Sequence, residues 1–337
     1  MTKTLKKVGK IIIFFFVGIG IFWLVYRKQD MGELKNALLN ANYFWIFISL
    51  ILGLLSHVSR AMRWNLLIYP LGYKPKVINS FFSVMIMYLS NMAVPRSGEI
   101  VRCGVLGKTE NIPVSKLLGT VFIERIIDFI LLFILLAVVL LTQTHVVIEM
   151  LERNPDINTN LNNLLSKTPL LISIFVLFVV LIIMMYRFRH KIKHLRFYKK
   201  IREIFKGFGD GIKSILKMER RLEFIAHSVF IWVLYFMMIY IVFKSFGFTE
   251  NLNLLSGLTV FVMSAFGMVA PSPGGIGTWH FMVIQTLMIY GVSKTDAGAF
   301  AFASHESMTL MMIIVGILSI ILLPVINRKQ VEKINNK

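Results

Sequence analysis

The sequence predicts an all-α, polytopic membrane helix bundle with about six full spans and two Pro/Gly-broken re-entrant hairpins in an inverted repeat. Three observations predict it. First, 56% of the 337 residues are hydrophobic and the mean hydropathy is +0.72, a surface that water would not tolerate on a soluble domain of this size. Second, the net charge of +20, from 37 Lys and Arg against 17 Asp and Glu, is confined to short stretches between apolar segments. That placement follows the positive-inside rule and argues against nucleic acid as a partner. Third, two Pro/Gly-interrupted stretches echo one another along the chain.

The first apolar run, Ile11 to Tyr26, follows Lys3, Lys6, Lys7 and Lys10 and leads into Arg27 and Lys28 without a small-residue cleavage site. It reads as an uncleaved first span. Full spans follow at about 43–67, 117–142, 169–186, 222–246 and 297–323, each long enough for a hydrocarbon core of about 30 Å. The stretches at about 79–94 and 253–290 are broken by Pro and Gly.

How these two broken stretches are counted decides the topology. If the first crossed once, the 187–221 loop and its 13 Lys and Arg would face outward, against the positive-inside rule. An even count keeps that loop, both termini and the 59–78 loop cytoplasmic, with 27–42 and 143–168 outside. Within the basic loop, Ile192, Leu195, Tyr198, Ile201, Phe205 and Phe208 recur at helical spacing. This pattern fits either an amphipathic helix on the inner leaflet or a plain positive-inside connector. The chain is therefore read as one integral domain of the cell membrane. Repeat 1 covers about 43–142 and repeat 2 about 222–323.

The repeat rests on landmarks. Pro95 and Pro271 are 176 residues apart, Gly98 and Gly274 also 176, and Ser115 and Ser293 178. Inverted repeats with broken helices are a transporter architecture, and each break brings a helix N-terminus to membrane depth, where it favours an anion. In Pro271-Ser272-Pro273-Gly274-Gly275-Ile276-Gly277, proline stops one limb, glycine allows close approach, and Ser272 or Thr278 is available as a cap.

Ionisable residues inside apolar segments are functional candidates. They are Arg96, Glu99 and Arg102 after the first break, Glu124, Arg125 and Asp128 in one span, and His305 and Glu306 in the last. Arg60 and Arg63 are placed at the cytoplasmic interface, as ligand contacts or as snorkelling side chains. His280 looks isolated, which argues against a metal. Cys103, the single cysteine, excludes an internal disulfide. No nucleotide-binding, zinc-protease or hydrolase motif occurs, so no cofactor, metal or catalytic residue is assigned.

Ser59-Arg60-x-x-Arg63-Trp64, Val94-Pro95-Arg96-x-Gly98-Glu99-x-x-Arg102, Glu124-Arg125-x-x-Asp128 and Pro271-x-Pro273-Gly274-Gly275-x-Gly277 together resemble the lysylphosphatidylglycerol synthase transmembrane region, also described as flippase-like, over about residues 10–325. In larger members that region is joined to a soluble domain that transfers lysine from a charged tRNA to phosphatidylglycerol. The resemblance implies movement of a lipid between leaflets. This chain ends about a dozen residues past its last span, so synthase activity is not expected. At His305-Glu306 it departs from an arginine expected near that point.

The reading is a lipid flippase or translocase for a phospholipid, anionic in character, or for a lipid-linked head group. One polar cavity would be lined by the charged residues named above and the 271–277 turn. The alternatives are a membrane transferase using Glu124 or Asp128 as base, and a membrane partner of a separate synthase or glycosyltransferase.

Overall fold

The computed structural model describes residues 30–94, 96–153, 218–270 and 272–327, together with Thr159. The expected spans at 10–26 and 169–186, nearly all of the basic 187–221 loop, and Pro95 and Pro271 lie outside the described residues. The described chain is all α. Its helices are α1 (Met31–Leu39), α2 (Tyr43–Ile68), α3 (Val77–Ala93), α4 (Gly98–Glu110), α5 (Val114–Thr142), α6 (Thr144–Arg153), α7 (Arg221–Val242), α8 (Leu254–Val269), α9 (Thr278–Ile289) and α10 (Lys294–Ile326).

Four stretches, Tyr43–Leu71, Val114–Thr142, Arg221–Ser245 and Lys294–Ile326, are long and apolar enough to cross a membrane. At 1.5 Å per residue each exceeds the hydrocarbon thickness. Their outward faces carry exposed Phe122, Phe129, Ile130, Phe133 and Ile134 on α5, and Leu310, Ile314, Ile317 and Ile321 on α10. Arg63, Arg102, Glu124 and His280 have no exposed surface. Apolar outside and polar inside is the arrangement a lipid solvent selects.

Helix ends follow local chemistry. Asn42 accepts from the Phe44 amide at 3.1 Å, Asn253 from Ser256 at 2.9 Å and Ser293 from Asp296 at 3.1 Å, which satisfies orphan amides at the starts of α2, α8 and α10. Inside the bundle, the Ser228 and Thr286 hydroxyls donate to the carbonyls of Phe224 and Met282 one turn back.

Two halves share one plan of long helix, broken hairpin, long helix. The first is α2, α3, α4, α5 and the second α7, α8, α9, α10; the helix starts differ by 178, 177, 180 and 180 residues. The equivalent helices α2 and α7 pack antiparallel. Ser49 Oγ donates to the Met238 carbonyl at 3.0 Å, whereas Ser59 Oγ meets His227 Nδ1 at 2.8 Å, so residue numbers rise on one helix as they fall on the other. α3 and α10 also run antiparallel, with Asn79 bonded to Asn327 and Gly316 set against Met85 and Leu89. Antiparallel equivalents mean that the relating axis lies across the helices, in the membrane plane, which makes the repeat inverted.

The limbs of each hairpin meet at a glycine. A Cβ on Gly98 would collide with the Met87 carbonyl oxygen, and one on Gly267 would stand 2.7 Å from Trp279 Cα. Gly104, on the same helix as Gly98, has nothing within 4 Å of such a Cβ. Gly98→Ala is therefore expected to destabilise by about 1–3 kcal/mol through overpacking. Gly104→Ala is expected to be neutral or to stabilise by up to about 1 kcal/mol. Thermal unfolding of the two variants in one detergent checks the contrast; equal melting temperatures would refute the close approach.

Candidate functional site

Arg60 and Arg63 lie within α2, not in an interfacial loop, and neither snorkels. The i, i+3 spacing turns both onto the face that meets α5, where Glu124 and Asp128 stand one turn apart on a matching face. Arg63 donates from Nη1 to Asp128 Oδ1 at 2.8 Å and from Nη2 to Glu124 Oε1 at 3.0 Å. Arg60 donates from Nη2 to Asp128 Oδ2 at 2.9 Å, and its Nε lies 3.1 Å from Glu124 Oε1 in ion-pair contact. Arg102 arrives from α4, the restarted limb of the first hairpin, and donates to Glu124 Oε2 at 2.6 Å.

Three guanidinium groups thus face two carboxylates, and the five-residue network carries one positive charge in excess. Removing ions from water costs several kcal/mol each, so such a network persists only with dense mutual bonding. That bonding is incomplete at Arg102. Its Nε and Nη1 are buried with no hydrogen-bond partner among the described residues, although the guanidinium stacks 4.4 Å over the Trp64 ring. Trp64 is itself held by a 2.9 Å bond from Nε1 to Thr120.

Aromatic residues line the network toward α7. Arg60 Nη1 donates to the Tyr88 hydroxyl at 2.7 Å, Tyr88 lies 3.3 Å from the Tyr235 hydroxyl, and Trp232 Nε1 points at Asp128 Oδ1 from 3.5 Å. Tyr88, Trp232 and Tyr235 escaped the sequence reading because aromatic residues in apolar helices look like ordinary lipid-facing or core positions; their register with Arg60 exists only after folding.

Arg125 stands at the edge of the network, its Nη1 4.0 Å from Asp128 Oδ2. It pairs with Glu99 at 2.5 Å, and both side chains are partly exposed, at 36% and 25%. Arg96 is exposed, with a left-handed φ of 62°, and donates to the Val269 carbonyl at 2.9 Å. That bond joins the first break to the end of α8. Met92 of α3 stands beside Gly274, so the two breaks meet each other.

A second polar cluster forms at the other break. His305 Nε2 bonds the Gly274 carbonyl at 3.0 Å, His305 Nδ1 lies 3.2 Å from Glu306 Oε1, and His280 Nε2 lies 3.4 Å from the same oxygen. His280 is therefore not isolated: the corner between α9 and α10 brings it against His305 and Glu306, a long-range approach that sequence spacing does not show. Ser272 and Thr278 share a 2.7 Å hydroxyl contact, and Thr278 donates to the Gly267 carbonyl, so neither caps α9. Gly274, Gly275 and Gly277 all hold positive φ, at 59°, 81° and 82°. Pro273 and Gly275 are buried in the turn.

The candidate residues thus resolve into two places rather than one cavity. Arg60, Arg63, Arg102, Glu124 and Asp128 form the charged network, with Arg125 and Glu99 at its edge. Ser272, Pro273, Gly274, Gly275 and Gly277 join His305 and Glu306 at the second break, and Arg96 belongs to the junction of the breaks. The helix-start amide of Gly98 is taken by Asn91 Oδ1 at 2.8 Å, and that of Gly277 faces His280 Nδ1. Among the described residues, His280, His305 and Glu306 form the one group whose ligand atoms lie close enough to hold a metal, within 4.8 Å.

The family described as the lysylphosphatidylglycerol synthase TM region matches residues 10–316. A UPF0104 membrane protein of Methanothermobacter thermautotrophicus is 24% identical over 293 residues, which covers 80% of this chain and 82% of that protein. The UPF0104 membrane protein MJ1595 of Methanocaldococcus jannaschii is 27% identical over 125 residues, 36% of this chain and 37% of its own length. The match thus spans little more than a third of that relative. No solved structure matches the chain.

Removing Glu124 leaves three buried guanidinium groups facing one carboxylate. Glu124→Gln is expected to cost about 3–5 kcal/mol, as for other broken buried ion pairs. Adding Arg102→Gln to Glu124→Gln returns the excess to the single positive charge of the wild type and is expected to recover part of that loss. Melting temperatures of the wild type, both single variants and the double variant in detergent complete the cycle; strict additivity would refute the coupling.

Proposed function

The chain belongs to the lysylphosphatidylglycerol synthase transmembrane-region family, and from that premise we propose that it moves an anionic phospholipid, or a lipid-linked phosphate head group, between the leaflets of the cell membrane. The observation that carries the reading is the buried network of Arg60, Arg63, Arg102, Glu124 and Asp128, with its single excess positive charge and the unpartnered Nε and Nη1 of Arg102. A guanidinium fork matches the oxygen geometry of a phosphate, and a buried cation lacking a counter-charge favours an anion over a zwitterion.

The inverted halves support the same reading. A site held between two antiparallel equivalents can open to either face by rocking one half against the other. The bond from Arg96 to the Val269 carbonyl and the contact of Met92 with Gly274 close the breaks together in this conformation. Opening on either side breaks that contact, and the head group then replaces a carboxylate on Arg102 while its acyl chains stay in lipid. The termini and the 187–221 loop lie on the cytoplasmic side in this proposal.

A transferase reading draws less support from the geometry. The oxygens of Glu124 and Asp128 all meet guanidinium groups: Oε1 meets Arg60 and Arg63, Oε2 meets Arg102, Oδ1 meets Arg63 and Oδ2 meets Arg60. A general base needs an oxygen turned toward its substrate.

The test is movement of fluorescently labelled phosphatidylglycerol in unilamellar vesicles of phosphatidylethanolamine and phosphatidylglycerol, read by reduction of the outer-leaflet label. The protein is expected to accelerate it, and to accelerate labelled phosphatidylcholine less. Arg102→Gln is expected to slow it by about tenfold to a hundredfold, the value of one hydrogen bond to a charged group. Rates equal to those of protein-free vesicles for every probe would sink the proposal.

A further inference from the structure

At corresponding points the first half carries a cation and the second carries groups that ligate one. Arg125 stands eleven residues after Val114, the start of α5, and His305 stands eleven after Lys294, the start of α10. Each reaches the restarted limb of its own hairpin. Arg125 meets Glu99 near the start of α4, whereas His305 and Glu306 meet His280 near the start of α9. The first half thus sets a guanidinium beside its carboxylate. The second gathers two imidazoles beside a carboxylate instead.

The spacing of these groups fits one ion. His305 Nδ1 lies 3.2 Å from Glu306 Oε1, His280 Nε2 lies 3.4 Å from the same oxygen, and one ligand atom from each residue stands within 4.8 Å of the other two. A tetrahedral zinc ion with bonds of about 2.0–2.1 Å sets neighbouring ligand atoms about 3.3–3.4 Å apart. Two edges of the triangle therefore already have the length the ion requires. Imidazole nitrogen and carboxylate oxygen are also the ligand types that such an ion takes. Three protein ligands leave its fourth position open.

The surroundings prepare the ligands. A carbonyl only accepts, so His305 Nε2, 3.0 Å from the Gly274 oxygen, carries a hydrogen and leaves the Nδ1 lone pair facing the carboxylate. An imidazole anchored to a backbone carbonyl through one nitrogen and offering the other is the usual setting of a metal-ligating histidine. A cation shared by Nδ1 and Oε1 relieves the repulsion of two lone pairs at 3.2 Å. The further contact to Nδ1, from Thr309 Oγ1, is long at 3.4 Å. At His280, Nδ1 faces the Gly277 amide at 3.4 Å, so ligation through Nε2 exchanges that one long contact for a metal bond. The Trp279 ring, 5.1 Å from the His305 ring, walls the site. Both histidines are buried, and Glu306, 32% exposed with half-buried Ser304 and Ser307 near it on α10, is the ligand at which the site opens.

We propose that His280, His305 and Glu306 bind one divalent ion of the zinc class, and that its open position takes a phosphate oxygen of the cargo head group. The ion site stands on the geometry alone, whereas the head-group role rests on the transport reading above. The ion ties α9 to α10 and, through His305 and the Gly274 carbonyl, to the broken turn. Its two charges against the one of Glu306 give the second half the positive character that Arg125 brings to the first. An anionic head group then meets a cation in each half, a guanidinium in one and a metal in the other.

Metal binding is measured first. Full-length protein purified in detergent without a histidine tag is stripped with a chelator, zinc is titrated back, and bound metal is counted by mass spectrometry. One equivalent is expected, with X-ray absorption showing imidazole nitrogen in its shell. His280→Gln, His305→Gln and Glu306→Gln are each expected to lower zinc affinity by more than the roughly 10–100-fold that an outer partner is worth. Each variant is checked for folding by single-species elution in the same detergent, and Glu306→Asp, which keeps an oxygen ligand, is expected to keep the equivalent. Wild-type protein that takes up no equivalent of zinc overturns the site, as do folded glutamine variants that hold zinc as tightly as the wild type.

Cobalt in place of zinc then reports the open position through its visible absorption. Dihexanoylphosphatidylglycerol is expected to change those bands, and inorganic phosphate to change them less. An equal response to both assigns the position to free phosphate and overturns the head-group role, as does no response to either. In the vesicle assay, chelator-stripped protein is expected to move labelled phosphatidylglycerol at least about tenfold more slowly than zinc-loaded protein, the value of one charged contact. Movement indifferent to the metal overturns the head-group role and leaves the transport reading standing. One equivalent of zinc with no lipid moving sinks the transport reading and supports the metal site.

Discussion

A charge placed among apolar helices in a lipid solvent has to be compensated by the protein itself, and the rest of this structure follows from that requirement. Arg60, Arg63, Arg102, Glu124 and Asp128 come from three helices distributed over the first half. Each would be prohibitive alone, and together they draw α2, α4 and α5 to one point. Trp64 under the Arg102 guanidinium and the tyrosine pair beside Arg60 then complete a polar centre inside an apolar shell. Ordinary hydrophobic burial cannot perform this task here, because lipid is as apolar as the helix faces that meet it.

The same requirement explains the breaks. A helix interrupted inside a membrane frees carbonyls and amides that lipid cannot satisfy. Among the described residues, several freed groups have an internal partner instead: Asn91 takes the Gly98 amide, Arg96 and Thr278 take the carbonyls of Val269 and Gly267, and His305 takes that of Gly274. The breaks are thus held by polar side chains bonded to backbone groups. Parting the hairpins would require those partners to be exchanged.

The two halves preserve a plan and diverge in chemistry. Helix order, helix starts and antiparallel packing correspond closely. The first half holds its charge in guanidinium groups, the second in imidazole and carboxylate. The two halves thus place different side chains at corresponding positions, Arg125 in one and His305 in the other.

The sequence by itself determined the class of solvent, the helical character, the broken hairpins and the repeat, since hydropathy, charge placement and Pro/Gly spacing are properties of neighbouring residues. It also marked all five charged members of the central network, because ionisable residues in apolar runs are conspicuous. What only the tertiary structure decided was which of them meet. Arg60 and Arg63 read as interfacial because they stand near the end of an apolar run; packing of α2 on α5 buries them. Arg125 read as part of the same group as Glu124; one step along a helix turns a side chain by about 100°, so its shorter ion pair is with Glu99 while it keeps a longer one with Asp128. His280 read as isolated because 25 residues separate it from His305, a gap that the α9–α10 corner closes to a ring separation of 4.6 Å. Local pattern specifies the elements, and contact between distant faces exists only once those elements have packed.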